Sequence, residues 1–576
     1  MTKQSCSAVA ETKRILDFVL NTVQIPTEAE RISRNVIFNS SRDAPYFPIP
    51  FKETELASAL KAIEGGLAGA LARSKYGRTS GQSVTVNLEK STAFLIQAYM
   101  ATVGGFGKLD REAKNFLKDT DLLQAQSDPY RRMSANLYET KRPGEYYHIH
   151  GSLEASTTLR MIGLEPFRPD LKDHDAIAEE IESHVRKYTI EELERMNAEN
   201  RQAGVPVLTY DDFVSTPHLM IIQGKANLNL PPWKVDVLEV STAPSPLPNP
   251  SSKRILSGIK VLELCRIIAG PVIGRILAEY GADVLKITSP NLSDVPFFQV
   301  DGNMGKHTVD LDLKLPESRQ RFETLLAEAD VVIDGYRPGA LEKLGYGATT
   351  LAKLAARRGK GIVYVNENCF GYEGEWAQRP GWQNSVGHPL MILQVSGVAW
   401  EQGRFMGLDE PVVPPFPISD YGTGCMGAIA ALTGLYYRAT QGGSWHGKVS
   451  LLQYDLLLSK VGRYPENVGR ELLNLAGEEF LSLRHSHSVD QISGTALQAM
   501  KRYAPELFEF PGIREKWYAN GYQTEIEVVT PVVDIEGVNI GFQRASRPNG
   551  TDQATWDFDQ EDDYLVNGVM GEANQV

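Results

Sequence analysis

Between Val261 and Val365, short apolar runs of strand length alternate with stretches of helix length, and this alternation constrains the fold more than any other feature. Val261–Leu264 reads as a strand, Pro271–Tyr280 as a helix stopped by Gly281, and Val284–Ile287 as a second strand. A helix near Glu317–Glu328 leads to Val331–Ile333, and Ile362–Val365 is the fourth strand. Strands alternating with helices predict a parallel, doubly wound α/β sheet. At the first strand-to-helix turn, Ala269-Gly270-Pro271 is small enough to bring backbone close to a ligand at a helix N-terminus. No GxGxxG accompanies it, so nicotinamide chemistry is not supported.

The chain has 576 residues, enough for about four domain-sized units. With 42% hydrophobic and 23% charged residues it can bury a core, which excludes disorder for most of its length. A net charge of −13 opposes nucleic-acid binding, which needs a basic face. It leaves room for one anionic ligand held by a few local cations and backbone donors. The four cysteines, Cys6, Cys265, Cys369 and Cys425, lie far apart with no CxxC pair, as in a reduced intracellular chain. The first residues lack an apolar signal core, no run of about 18 apolar residues occurs, and the final Asn-Gln-Val is no peroxisomal address. The expectation is a cytoplasmic protein that does not span a membrane.

Around residues 240–255 prolines and serines without periodicity predict a stiff, exposed linker between halves of about 240 and 320 residues. Across it the sequence echoes itself. Phe51, Glu55 and Arg73 align with Phe416, Asp420 and Arg438, and after one extra residue Gly81-Gln82 aligns with Gly447-Lys448. This reads as an internal duplication whose first copy lacks a counterpart of segment 255–365. Residues 150–230 read as helical, with a capping box at Thr189-Ile190-Glu191-Glu192 and a helix ending near Gly204. Glu525–Phe542 alternates as β structure, and a polar, mobile tail is expected from Arg544. The expected organisation is a truncated first copy at 1–150, a small-domain segment at 151–235 and the linker at 236–255. A complete large domain at 256–470, a small-domain and C-terminal segment at 471–545 and a polar tail at 546–576 follow.

From Leu256-Ser257-Gly258-Ile259-Lys260-Val261-Leu262-Glu263-Leu264 onward the chain resembles the family III CoA-transferases, which include carnitine- and formyl-CoA transferases and 2-methylacyl-CoA racemases. The supporting pieces come in family order: Ala269-Gly270-Pro271, Tyr280-Gly281-Ala282-Asp283, Asn303-Met304-Gly305-Lys306, Tyr336-Arg337-Pro338-Gly339 and Leu344-Gly345-Tyr346-Gly347. The resemblance covers 255–460 clearly and about 45–230 as a diverged partial copy. It implies an α/β CoA-binding large domain with a smaller α+β domain, and two subunits threaded as interlocked rings. The duplicated chain implies either a homodimer or an intrachain mimic of that dimer. A CoA thioester and a carboxylic acid are the implied substrates, with no permanently bound cofactor.

In the family's transferases an aspartate attacks the acyl-CoA carbonyl, forming a mixed anhydride and then an enzyme-bound CoA thioester. The matching motif, Arg379-Pro380-Gly381-Trp382-Gln383, puts Gln383 at that position, and an amide cannot form the anhydride. A second register, Gly387-His388-Pro389 ahead of Ser396-Gly397, resembles the racemases and makes His388 an acid/base candidate. Its partner would be Asp420 in Asp420-Tyr421-Gly422-Thr423-Gly424, a residue that could equally be a helix N-cap. For CoA, the resemblance points to Ile268 and Ala269 beside the pantetheine and to Lys306 and Arg337 near the phosphates. Asn366 and Asn368, after the fourth strand, are candidate oxyanion donors or turn formers. His148/His150 and His485/His487 have metal-like spacing without an acid or cysteine set, and chance is the better reading. Three readings follow: CoA transfer from an acyl-CoA to an acid, isomerisation through an enolate, or a repurposed acyl-ligand protein.

Overall fold

The computed structural model describes residues 7–77, 83–226, 230–249, 251–379, 395–558 and 563–566. Its centre is a seven-stranded sheet ordered Lys306–Asp310, Asp283–Thr288, Lys260–Leu264, Val331–Asp334, Val363–Asn368, Ser444–Ser450 and Lys234–Glu239. The first six strands are parallel and the last closes the edge antiparallel to Ser444–Ser450. Strand parity divides two cores. Val261, Val331, Ile333, Val363 and Val365 pack under the helices Ala269–Glu279 and Ile418–Thr440. Leu262, Leu264, Val332 and Tyr364 face the other way, toward the helices Pro316–Leu326 and Ala348–Arg357. Both faces are therefore covered, which is why these strands read as near-continuous apolar runs. From Lys260–Leu264 the chain winds first toward one edge and then, at Val331–Asp334, toward the other. The topological switch point lies between those two strands.

The expected linker does not separate two independent halves. Lys234–Glu239, which overlaps its start, is an edge strand of the central sheet, and further along Leu247 and Ile255 are buried. The helix Glu53–Tyr76 packs lengthwise against Ile418–Thr440, with the Cys425 thiol 3.4 Å from Glu64 Oε2. Each long helix precedes a strand that runs straight into a helix: Val84–Asn87 into Leu88–Leu95, and Ser444–Ser450 into Leu451–Val461. Val84–Asn87, however, pairs with Ile37–Asn39 and Val533–Ile535 in a separate three-stranded sheet. A further sheet joins Arg514–Ala519 and Thr524–Val529 to Thr102–Val103 from the first half.

The mobile tail expected from Arg544 is instead packed in its first part. Ser546 Oγ donates to the Gln299 carbonyl at 2.7 Å, and Asn303 Nδ2 donates to the Arg547 carbonyl at 2.8 Å. The sequence looked polar there because its partners are buried polar groups on the large domain. The capping box is present: Thr189 Oγ1 accepts from the Glu192 N–H at 3.3 Å and Glu192 Oε2 from the Thr189 N–H at 2.9 Å. The helix it starts, Ile190–Asn200, ends at left-handed Arg201, before Gly204. Thr189→Ala is expected to lower stability by about 1 kcal/mol, read as a shift in the urea midpoint at unchanged slope.

Candidate functional site

A crevice of about 120 Å³ opens at the carboxyl ends of four adjacent strands, where open α/β sheets bind ligands. Arg266, Thr288, Ser289, Asp310 and Tyr336 line it from the large domain. Its outer wall comes from distant sequence: Lys118, Asp119 and Thr120 from the first half, and Asn549 from the C-terminal segment. Lys118 Nζ donates to the Asn549 carbonyl at 2.7 Å, and Asn549 Nδ2 donates to Asp294 Oδ2 at 2.6 Å. Arg266 is 9% exposed, beside Asp294; burial pulls its guanidinium pKa down, against the pull of that carboxylate.

Beside the crevice two helices begin. Ala269–Glu279 is entered through Ile268 at φ 49°, and Ile418–Thr440 follows Phe416 at φ 65°. Positive φ in bulky residues costs on the order of 1–3 kcal/mol each and persists where the surroundings fix it. Where the two turns meet, the Ala269 N–H faces the Asp420 carboxyl in the first turn of the second helix and favours its ionised form. Gly424 allows the approach, since a Cβ there would meet Val272 at 2.5 Å and the Ala269 carbonyl at 2.8 Å. Asp420 is buried, and Oδ2 has no hydrogen-bond partner among the described residues. Its pKa is pushed well above the usual carboxylate range, by burial first, then by Glu367 and Asp455. Asp455 is held by Ser419 Oγ at 2.6 Å and Ser396 Oγ at 3.2 Å, and burial raises it to about 7.

The structure brings Ile268, Ala269 and Asp420 together; Asp420 is not the N-cap, which is Pro417, but stands in the first turn of the helix. Arg337 is exposed on the loop after Val331–Asp334, with no ion-pair partner among the described residues. Lys306 does not face a ligand. Its ammonium is fully buried between sheet and helix, 2.7 Å from Glu263 Oε2 and donating to the Pro271 carbonyl at 2.6 Å. Asn366 also departs from expectation. Strand parity turns it to the face away from Asp420, where Nδ2 donates to Asp334 Oδ2 at 2.9 Å and His446 Nε2 lies 2.7 Å from Oδ1. Asn368 forms a turn with Gly371. Gln383 and His388 lie outside the described residues.

His148 and His150 are buried in the strand Tyr146–His150, and His485 bridges Glu182 and Glu410 at 2.8 Å each. Among the described residues no His, Cys, Asp and Glu group is arranged to hold a metal ion, and no helix is long and apolar enough to cross a membrane. Sequence reasoning missed Arg266, Lys118 and Asn549 as crevice residues. Arg266 stood three residues before the Ala269-Gly270-Pro271 motif, while the others needed the tertiary fold.

Residues 256–462 match CoA-transferase family III. Over 558 residues, 93% of this chain and 90% of the other, the sequence is 32% identical to the acetyl-coenzyme A transferase nodX of Hypoxylon pulicicidum. It is 31% identical to an acyl-CoA transferase of Gibberella moniliformis, covering 80% of each chain. With the succinyl-CoA–L-malate CoA-transferase beta subunit of Chloroflexus aurantiacus it shares 32% identity, over 32% of this chain and 46% of that one. On the strength of a match that spans nearly its whole length, the chain belongs to the family III CoA-transferases.

Proposed function

We propose that this chain transfers CoA from an acyl-CoA to a carboxylic acid. The observation that carries the reading is the crevice at the sheet's switch point, whose wall residues Arg266 and Asp294 also line a small inner cavity with Ile268, Pro271 and Tyr421, next in sequence to Ala269 and Asp420. Arg266 and Arg337 offer guanidinium forks, and Lys118 a point charge, to the phosphates of a CoA seated there. The pantetheine arm would then pass Ile268 and Ala269 and bring the thioester to Asp420. The relatives' names, two acyl- or acetyl-CoA transferases and a succinyl-CoA–malate enzyme, support the same class. The acceptor is drawn from the carboxylic acids as a class.

The test is incubation in D₂O with a panel of acyl-CoAs and free carboxylates, with products followed by mass spectrometry. CoA appearing on a new acid is the expected result, and Arg337→Ala is expected to raise KM for the acyl-CoA about tenfold with kcat little changed. The enolate reading is favoured by one observation, the buried Asp420 carboxyl with Oδ2 unpartnered. Deuterium entering the α-carbon without movement of CoA would select it. If neither CoA nor deuterium moves, the protein is a repurposed acyl-ligand binder.

A further inference from the structure

A second opening lies at the carboxyl ends of the sheet, over Val363–Asn368, Ser444–Ser450 and the start of Lys234–Glu239. It encloses about 170 Å³ and, among the described residues, shares no lining with the crevice at the switch point. Ile222, Leu230, Phe370, Leu452 and Leu456 give it apolar walls. An apolar cavity of about 150 Å³ holds one benzene ring, so this one has room for about six carbon atoms. Lys448, also in its lining, stands in register with Asn366, whose side chain points away from Asp420. The charged end of the cavity therefore lies on the other face of the sheet.

Lys234 and Lys448 both line the cavity and stand directly opposite each other on neighbouring strands. Like charges in that position repel and destabilise a sheet. Asp236 answers one of them, its Oδ2 3.1 Å from Lys448 Nζ. Lys234 is exposed and has no ion-pair partner among the described residues. Glu373, exposed on the loop after Val363–Asn368, is the acid of the lining, and against two lysines it leaves one positive charge in excess. The remaining polar groups of the lining are satisfied within the fold. Ser450 Oγ donates to Gln453 Oε1 at 3.0 Å, Gln453 Nε2 to the Pro231 carbonyl at 3.1 Å, and the Tyr372 hydroxyl to the Asn366 carbonyl at 2.8 Å. A ligand of this cavity needs one anionic end and no other polar group.

We propose that this cavity is a second ligand site, holding a free unbranched carboxylic acid of about six carbons with its carboxylate between Lys234 and Lys448. Placed there, the carboxylate offsets the repulsion of the two ammoniums, while its chain leaves water for the apolar walls. The site is separate from the crevice and requires no CoA, so it stands or falls independently of the transfer reaction.

The test is calorimetric titration of the full-length protein, without CoA, with acetate, butyrate, hexanoate and octanoate. Affinity is expected to rise about fourfold per methylene as far as hexanoate and then to level off. Hexanamide, of the same length without the charge, is expected to bind about tenfold more weakly than hexanoate. Lys234→Ala is expected to weaken hexanoate about tenfold, and Leu456→Trp, which fills the cavity, to abolish its binding. Should Leu456→Trp not fold, Lys234→Ala at the exposed end of the site still decides. No binding of any acid, an affinity for hexanoate unchanged in Lys234→Ala, or displacement of hexanoate by CoA overturns the proposal. Failure of CoA transfer with hexanoate still bound through Lys234 would remove the transfer reading and leave this site in place.

Discussion

Asp420→Asn is expected to lower kcat by about 10²–10⁴-fold, the usual contribution of a positioned acid or base, while KM for the acyl-CoA changes little. Asparagine keeps the shape of the side chain, and its amide oxygen can still accept from the Ala269 N–H, so the geometry of the two helix starts is retained. What is lost is a proton that can be given and taken. Burial, with Glu367 and Asp455 nearby, holds the Asp420 carboxyl protonated above the ordinary carboxylate range. In this state Oδ2 can donate to charge developing on a thioester oxygen or on a departing thiolate. The rate supported by that proton falls as pH rises through the Asp420 titration, and the variant is expected to lose this alkaline limb. A variant with unchanged kcat, or one that lost activity solely through a raised KM, would remove Asp420 from the chemistry.

The sequence makes the central sheet readable because its strands are buried on both faces. Val331–Ile333 is apolar throughout, Val261–Leu264 and Val284–Ile287 are interrupted only by Glu263 and Lys286, and no partner is needed to recognise them. Lys306–Asp310 reads Lys-His-Thr-Val-Asp and is apolar only at Val309, since its polar groups meet Glu263, Asp552 and the packed C-terminal segment. Lys306 resembles a phosphate ligand in a one-dimensional motif for the same reason. Only the fold shows Glu263 across from it. The alternation that marks a strand does not say which face meets which helix, so Asn366 reads as a site residue although its amide meets Asp334 and His446 on the opposite face. Residues such as Lys118 and Asn549 reach the crevice through contacts spanning hundreds of residues, which leave no local signature.

Stability is expected to fall as pH rises from about 6 to 9, a slope opposite to that of a protein held by ionised carboxylates. Burial raises Glu53 and Glu367 to about 8, and Glu55, Glu279, Asp334 and Asp455 to about 7. Above the ordinary glutamate range near 4.5 the unfolded chain has released these protons while the folded chain retains them, so the folded state binds more. Stability then declines with pH until the folded values are passed. His485 acts in the same direction: burial lowers its pKa, but Glu182 and Glu410 outweigh this and hold it at about 9. Its contribution is complete below about 6.5 and lost as pH rises through 9. On the acid side burial keeps His218 and His446 neutral down to about 4, and their unfolded counterparts protonate first, so the contribution of these two falls below about 6.5. The six raised carboxyls outweigh these two histidines, so the net decline with pH has already begun below pH 6. Urea midpoints at pH 6, 7.5 and 9 and constant ionic strength measure the slope. Glu53→Gln isolates one contributor, because the amide oxygen can still accept from the Tyr454 hydroxyl, 2.6 Å from the present carboxylate, but carries no titrating proton. The variant is expected already to exceed the parent at pH 6, since the unfolded Glu53 ionises near 4.5, and to exceed it further at pH 9, at about 1.4 kcal/mol for each tenfold difference in proton affinity between folded and unfolded chain. A parent protein whose midpoint is flat or rises between pH 6 and 9, or a variant that loses stability equally at both, would show that these acids ionise inside the fold at little cost.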